Sequence, residues 1–340
     1  MKVLTVATIA VFMVLAIPAL AAAQDKMPAE KAGTIGEPSG QIAFLREQNV
    51  WVMNWDGTDQ RLVTEVTNAV GRLSWSADDK MIAFSRNGTV TAASPTLGEG
   101  GSHQVFDMFL AFPDSAANGN TKWWWRLTDN FGSRHPEFST DGSRILFLKD
   151  LNAYQAFPLG PNYQPCTMDP DGGNTKVLRK DHANPGEEFL RFPSMSPAGD
   201  LAAVYFAEMK PVGLVTVKAP NYTVSMKEME KVAYANFNML GPSWSPDGKW
   251  IACYSNDIKQ QGLYIYSADL TEKYLVTGAP VGTYLSTIPA GWSPDGKWLT
   301  YATQDGSCWI IKITGEGARR ISGPGLDRSP AWSKTTKSTK

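Results

Sequence analysis

The stretch Trp244-Ser-Pro-Asp-Gly-Lys-Trp250 recurs letter for letter at Trp292-Ser-Pro-Asp-Gly-Lys-Trp298. Looser copies open at Trp75 (WSADDKMIAFSR), Phe138 (FSTDGSRILFLK) and Met195 (MSPAGDLAAVYF), and one more opening stands at Ala331-Trp332-Ser333. A period of roughly 40–60 residues suits one β-propeller blade of four short strands. Pro246 fixes φ and Gly248 accepts the positive φ of a tight turn, so Pro-Asp-Gly-Lys reverses the chain. Gly241 to Ser245 then reads as an inner strand, and Trp250 to Ser255, alternating and aromatic-rich, as the second. Leu263 to Ala268 and Lys273 to Thr277 supply the third and fourth. Such a blade leaves both apolar faces open unless neighbours cover them, so blades must stack around an axis.

The blade count depends on the two ends of the pattern. Gln41 to Arg46 matches the second strand, and Val50 to Asn54 and Arg61 to Thr64 match the third and fourth, with no inner strand before them. Arg328 to Ser333 is an inner strand with nothing after it. Together they make one blade. The expected fold is an all-β, six-bladed β-propeller of four-stranded antiparallel blades over residues 40–334, its ring closed by the C-terminal strand. The WSPDGK-xIAF unit at Trp244 and Trp292 resembles that of the TolB-like propellers, which implies the same six blades. TolB itself carries an α/β domain before its propeller, whereas Gln24 to Ser39 is expected to be a linker.

Residues 1–23 run Lys2, an apolar stretch from Val3 to Leu20, then Ala21-Ala22-Ala23, the pattern of a secretory signal peptide. No other stretch approaches the ~20 apolar residues of a membrane span, and no Cys follows the apolar run. A periplasmic or secreted protein without a transmembrane anchor is expected, with a disordered basic tail at 335–340. Charges nearly balance, 32 Lys+Arg against 33 Asp+Glu, which argues against nucleic acid as a partner. Cys166, Cys253 and Cys308 each fall in a strand of a different repeat and read as buried small apolar groups. A Cys253–Cys308 disulfide between neighbouring repeats is the alternative.

Chemical motifs are sparse. HExxH, CxxC, GxSxG and GxxxxGK[ST] are all missing, and the three His (His103, His135, His182) have no metal spacing. No cofactor or metal is expected. Asp169-Pro-Asp-Gly-Gly-Asn174 opens like a calcium loop, but Lys180 stands where the closing Glu is required, so it reads as a turn. Asp181, His182, Glu187 and Glu188 with His135 form the one cluster that could do acid/base work.

Two features point to binding. The longest insertions, Asn87 to Gln104, Asp150 to Asn162 and Arg179 to Phe192, emerge on one face of the ring, where function on a rigid scaffold usually sits. On the same side Arg72, Arg134, Arg191 and Arg328 stand three or four residues before the block openings, beside the channel, with His135 next to Arg134; Leu240 and Ile288 take the place in the other two blades. Converging guanidiniums need anions, either protein carboxylates such as Asp181, Glu187, Glu188 or Asp327, or a ligand. Trp123-Trp124-Trp125 lies in an outermost strand, where alternation turns Trp124 to one side and its neighbours to the other; blade packing uses one set, and the other can serve as a surface platform. The expected function is a non-enzymatic exported scaffold that holds an envelope or extracellular protein, or another acidic ligand. The alternative is a propeller enzyme acting on carbohydrate, a glycosidase or lyase.

Overall fold

The computed structural model describes residues 26–91, 102–152, 162–179, 189–207, 210–222, 239–255, 261–278 and 288–336. Within the repeat, the Ser-x-Asp triplet makes the turn. Ser245 Oγ donates to Asp247 Oδ1 at 2.6 Å, Asp247 accepts the Lys249 amide at 3.1 Å, and the Trp250 amide donates back to Ser245 Oγ at 2.9 Å. Ser293 and Asp295 repeat the arrangement ahead of Trp298, and Ser139 with Asp141 in the looser copy. The Ser139 hydroxyl and the Ser143 amide hold the Asp141 carboxyl below its usual range. Side chain and backbone thus satisfy each other locally, which is why a short sequence signature suffices to specify the reversal.

Six antiparallel sheets result, five of them four-stranded. In the first blade the innermost strand is Arg328–Trp332 from the far end of the chain, paired with Gln41–Arg46 through Ile42↔Trp332 and Ala43↔Ala331. Ring closure by the C-terminal strand is therefore as expected. The inner strands of blades two to six are Ala69–Trp75, Ser133–Phe138, Phe189–Met195, Met239–Trp244 and Gly291–Trp292; each touches the next, and Gly291–Trp292 touches Arg328–Trp332. Blade four shows three strands among the described residues.

Apolar residues on facing sheets form one cluster at each seam. Tyr254, Leu263 and Ile265 of blade five meet Leu299, Tyr301 and Ile311 of blade six. Val50, Val52 and Val63 of blade one meet Trp75, Phe84 and Phe109 of blade two. Two motif tryptophans also bridge seams by hydrogen bonds, Trp75 Nε1 to Ala331 O and Trp292 Nε1 to Ser243 O, both 3.0 Å. A buried indole that finds a carbonyl gives Trp a use there that a plain hydrophobe lacks, whereas Trp244 fills its place with its Nε1 unpartnered among the described residues.

Several expectations need adjustment. Residues 26–39, read as a linker, lie as a strap over blades five, six and one: Met27 and Ala32 are buried, Lys297 donates to Ala32 O, Trp298 Nε1 to Gly36 O and Trp332 Nε1 to Ser39 O. A short helix, Pro113–Ala117, stands between the third and fourth strands of blade two. The described ends of the insertion at 87–104 prolong two ten-residue strands, Ile82–Thr91 and Ser102–Ala111, and 92–101 lie outside the described residues. Thr335 does not dangle, since the amides of Lys334 and Thr335 both donate to Asp79. Cys166, Cys253 and Cys308 are buried and none is disulfide-bonded, so the alternative disulfide is ruled out. Residues 1–23 lie outside the described residues, as do 337–340.

Candidate functional site

Where the inner strands of blades one to five enter the channel they carry a bulge. In blade three Arg134 pairs with Leu148 and Glu137 with Leu146, leaving His135 and Pro136 opposite Phe147 alone. Blades four, five and one repeat this after Arg191, Leu240 and Arg328. The first bulged residue takes a positive φ each time: His135 60°, Phe192 53°, Gly241 63°, Ser329 58°. A bulge re-aims the side chain before it. Blade two differs. Val70 pairs with Ser85 and Ser74 with Ala83, so its bulge holds three residues, Gly71 to Leu73. The equivalent of Arg134 is therefore Val70. The expectation of four equivalent arginines must be corrected to three, because one extra residue shifts Arg72 into the bulge itself.

That shift gives Arg72 a different role. It is only 7% exposed and donates from Nη1 to Glu137 Oε2 and to Pro193 O, both at 2.9 Å. Glu137 Oε1 accepts from Ser194 Oγ at 2.9 Å, which makes the carboxylate an axial tie between blades. Burial lowers the Arg72 pKa, opposed by the charge of Glu137. The pair lines an axial cavity of about 160 Å³ together with Ser74, Ser243 and Lys334. Glu137 escaped the sequence reading although a signal existed. The residue before each block opening is small elsewhere (Ser74, Ser194, Ser243, Gly291, Ala331), and Glu137 alone is acidic.

Arg134, His135 and Arg191 come together. The Arg134 guanidinium lies over Tyr163, 3.8 Å from the ring centroid, and over Phe106 at 5.3 Å. Among the described residues no carboxylate forms an ion pair with Arg134. Burial lowers its pKa, and burial and then the charge of Arg134 lower that of Arg191. His135 packs edge-on against Phe192 at 5.8 Å, and its pKa is pushed down to about 3 by burial and by Arg134, Arg72 and Arg191. A ring so held is neutral at physiological pH. Arg328 is exposed and stands apart from this group; Asp327, named as a possible counterion, is held bidentately by Arg46 at 2.7 Å. Asp181, His182, Glu187 and Glu188 lie outside the described residues. No group of His, Cys, Asp or Glu that could hold a metal ion occurs among the described residues.

On the flank of blade two, Trp123, Trp124 and Trp125 are 56, 36 and 56% exposed. Trp124 meets Phe109 edge-on at 5.2 Å, and Trp123 meets Phe112 at 6.1 Å.

No family model matches the chain, and no curated protein matches it. Solved structures do. TolB from Acinetobacter baumannii aligns over 90% of this chain and 69% of its own, with 20% identity and a TM-score of 0.64. A protein assigned as TolB from Agrobacterium tumefaciens aligns over 84% and 90%, with 13% identity and a TM-score of 0.56. A chain of a nidogen/laminin complex aligns over 86% and 97%, with 10% identity and a TM-score of 0.58. The chain is a six-bladed β-propeller. More narrowly, its fold is that of the TolB-like propellers.

Proposed function

We propose that this protein is an exported, non-enzymatic scaffold that holds an acidic segment of an envelope or extracellular partner at the Arg134 side of its channel mouth. The observation that supports this reading is Arg134 itself: a guanidinium stacked on Tyr163 and Phe106, with no carboxylate ion pair among the described residues. A flat aromatic bed leaves the in-plane N–H donors of a guanidinium free for carboxylates, and a converging set of like charges attracts acids over a longer range than one pair. Arg191 adds to that field, and Arg328 lies farther round the mouth. A histidine held near pKa 3 is a poor acid or base at neutral pH, which weakens the carbohydrate-enzyme alternative built on His135. Export rests on the pattern at 1–23 and fits with the finding that no helix among the described residues is long and apolar enough to cross a membrane.

The test uses an oligo-glutamate peptide as probe. Binding should weaken as salt is raised and fall sharply in Arg134→Glu, while Lys249→Glu, an exposed turn residue, leaves it unchanged. Salt-independent binding, or equal affinity in the two variants, would overturn the reading.

A further inference from the structure

A second guanidinium with no ion pair among the described residues sits away from the mouth. Arg86 belongs to the long second strand of blade two and shares a face with Phe84, turned toward blade one. Its guanidinium carbon lies 5.4 Å from the ring centroid of Phe109 and 5.5 Å from that of Trp124. Its Nε is buried and has no hydrogen-bond partner. The carboxylate placed to neutralise it is Asp107, its direct cross-strand partner. Asp107 is engaged elsewhere: Oδ2 accepts from Arg126 at 2.8 Å, and Oδ1 accepts from Thr128 Oγ1 and from the amides of Asn130 and Phe131. Arg126 is in turn held by Asp107 and Asp129. The charge left over belongs to Arg86.

Around it is a pocket of about 280 Å³ lined by Phe109, Trp124 and Phe131, by Asn68 and Asn87, and by the Arg126–Asp107 pair, whose charges offset each other. That volume is near the lower end of small-ligand sites, room for one ring and its substituents. An aromatic wall, two amides and one uncompensated guanidinium define complementary chemistry: a flat ring to lie along Trp124, polar substituents for the amides, and a carboxylate for the fork of Arg86. We infer that this pocket binds a small monocarboxylate carried on a ring-shaped body. Two sources share that chemistry, an acidic sugar and an aromatic acid. The inference is independent of the acidic partner at the mouth, because it uses neither Arg134 nor any residue around it.

Calorimetric titration of the whole protein with glucuronate and with indole-3-acetate distinguishes the sources, with glucose and indole as uncharged counterparts. One of the two acids should bind, its neutral counterpart should bind at least about tenfold more weakly, and Arg86→Gln should erase that difference. Asn87→Asp puts a carboxylate on the rim beside Arg86 and should abolish acid binding without touching the aromatic wall, which keeps the inference testable if Arg86→Gln folds poorly. Arg134→Glu should leave this binding intact. The inference is overturned if neither acid binds better than its neutral counterpart, or if Asn87→Asp binds the acid as the wild type does.

Discussion

Nη1 of Arg72 lies 2.9 Å from Oε2 of Glu137, an ion pair that joins the inner strands of blades two and three, with side chains only 8 and 12% exposed. Removing one partner of such a pair leaves a buried charge without compensation. Arg72→Ala should therefore cost about 3–5 kcal/mol, while Arg72→Met combined with Glu137→Leu should recover most of it. Denaturant titrations of the three proteins decide this, and a single variant as stable as the wild type would show that the pair is not a structural tie.

Closure of the ring gives a graded prediction. Deleting 326–340 removes the inner strand of blade one and buried Trp332, and the protein should fail to fold cooperatively. Deleting 334–340 removes the clasp on Asp79 and leaves the inner strand in place, and about 1–3 kcal/mol should be lost. Trp332→Ala should fall between these limits at about 3–5 kcal/mol. Thermal melts that rank the three in any other order contradict the closure described above.

The depressed pKa of His135 has a defined sign. Near 6.5 the unfolded chain begins to take up a proton that the folded chain, with this residue at about 3, does not. Above pH 6.5 both states are neutral there and the residue adds no pH dependence. Between 6.5 and 3 stability falls as pH falls, with a slope approaching about 1.4 kcal/mol per pH unit from this one group. His135→Asn, which tolerates the positive φ at this position, should flatten the profile between pH 6 and 4. Equal slopes in variant and wild type would mean that the folded ring accepts the proton.

Burial pushes the thiols of Cys166 and Cys308 up to about 12, so neither supplies thiolate at neutral pH. Ellman's reagent at pH 8 should find no fast-reacting thiol in the native protein and all three in denaturant. A rapidly labelled native cysteine would show that one of these strands opens.

The blades could be read from the sequence because their chemistry is local. Ser245 and Asp247 stand two residues apart and close the turn by themselves, and the alternation of Trp250 to Ser255 already states which faces need cover. The ring closure was legible for a different reason, a strand missing at one end and spare at the other. The site was less so. Arg72 and Glu137 are separated by a whole blade, and a one-residue enlargement of one bulge changed the meaning of an arginine that had seemed to share the position of three others. The aromatic bed of Arg134 comes from Phe106 and Tyr163, on strands that the repeat does not mark. The strap could not be foreseen either, since Lys297, Trp298 and Trp332 hold it by the carbonyls of Ala32, Gly36 and Ser39, which every residue type carries.

The first blade also has a mechanical side. The Gln41 amide donates to Ser333 Oγ at 3.0 Å, and the Ser333 amide donates back to Gln41 O at 2.8 Å, so the two ends of the closing ladder lie side by side. Tension that draws residues 41 and 333 apart loads this ladder from one end, and its bonds must break in succession, like a zipper, not all at once in shear. Resistance to such a pull then falls first on what lies beyond those ends, the strap before residue 41 and the clasp of Lys334 and Thr335 on Asp79, which makes these two short segments the locks of the ring.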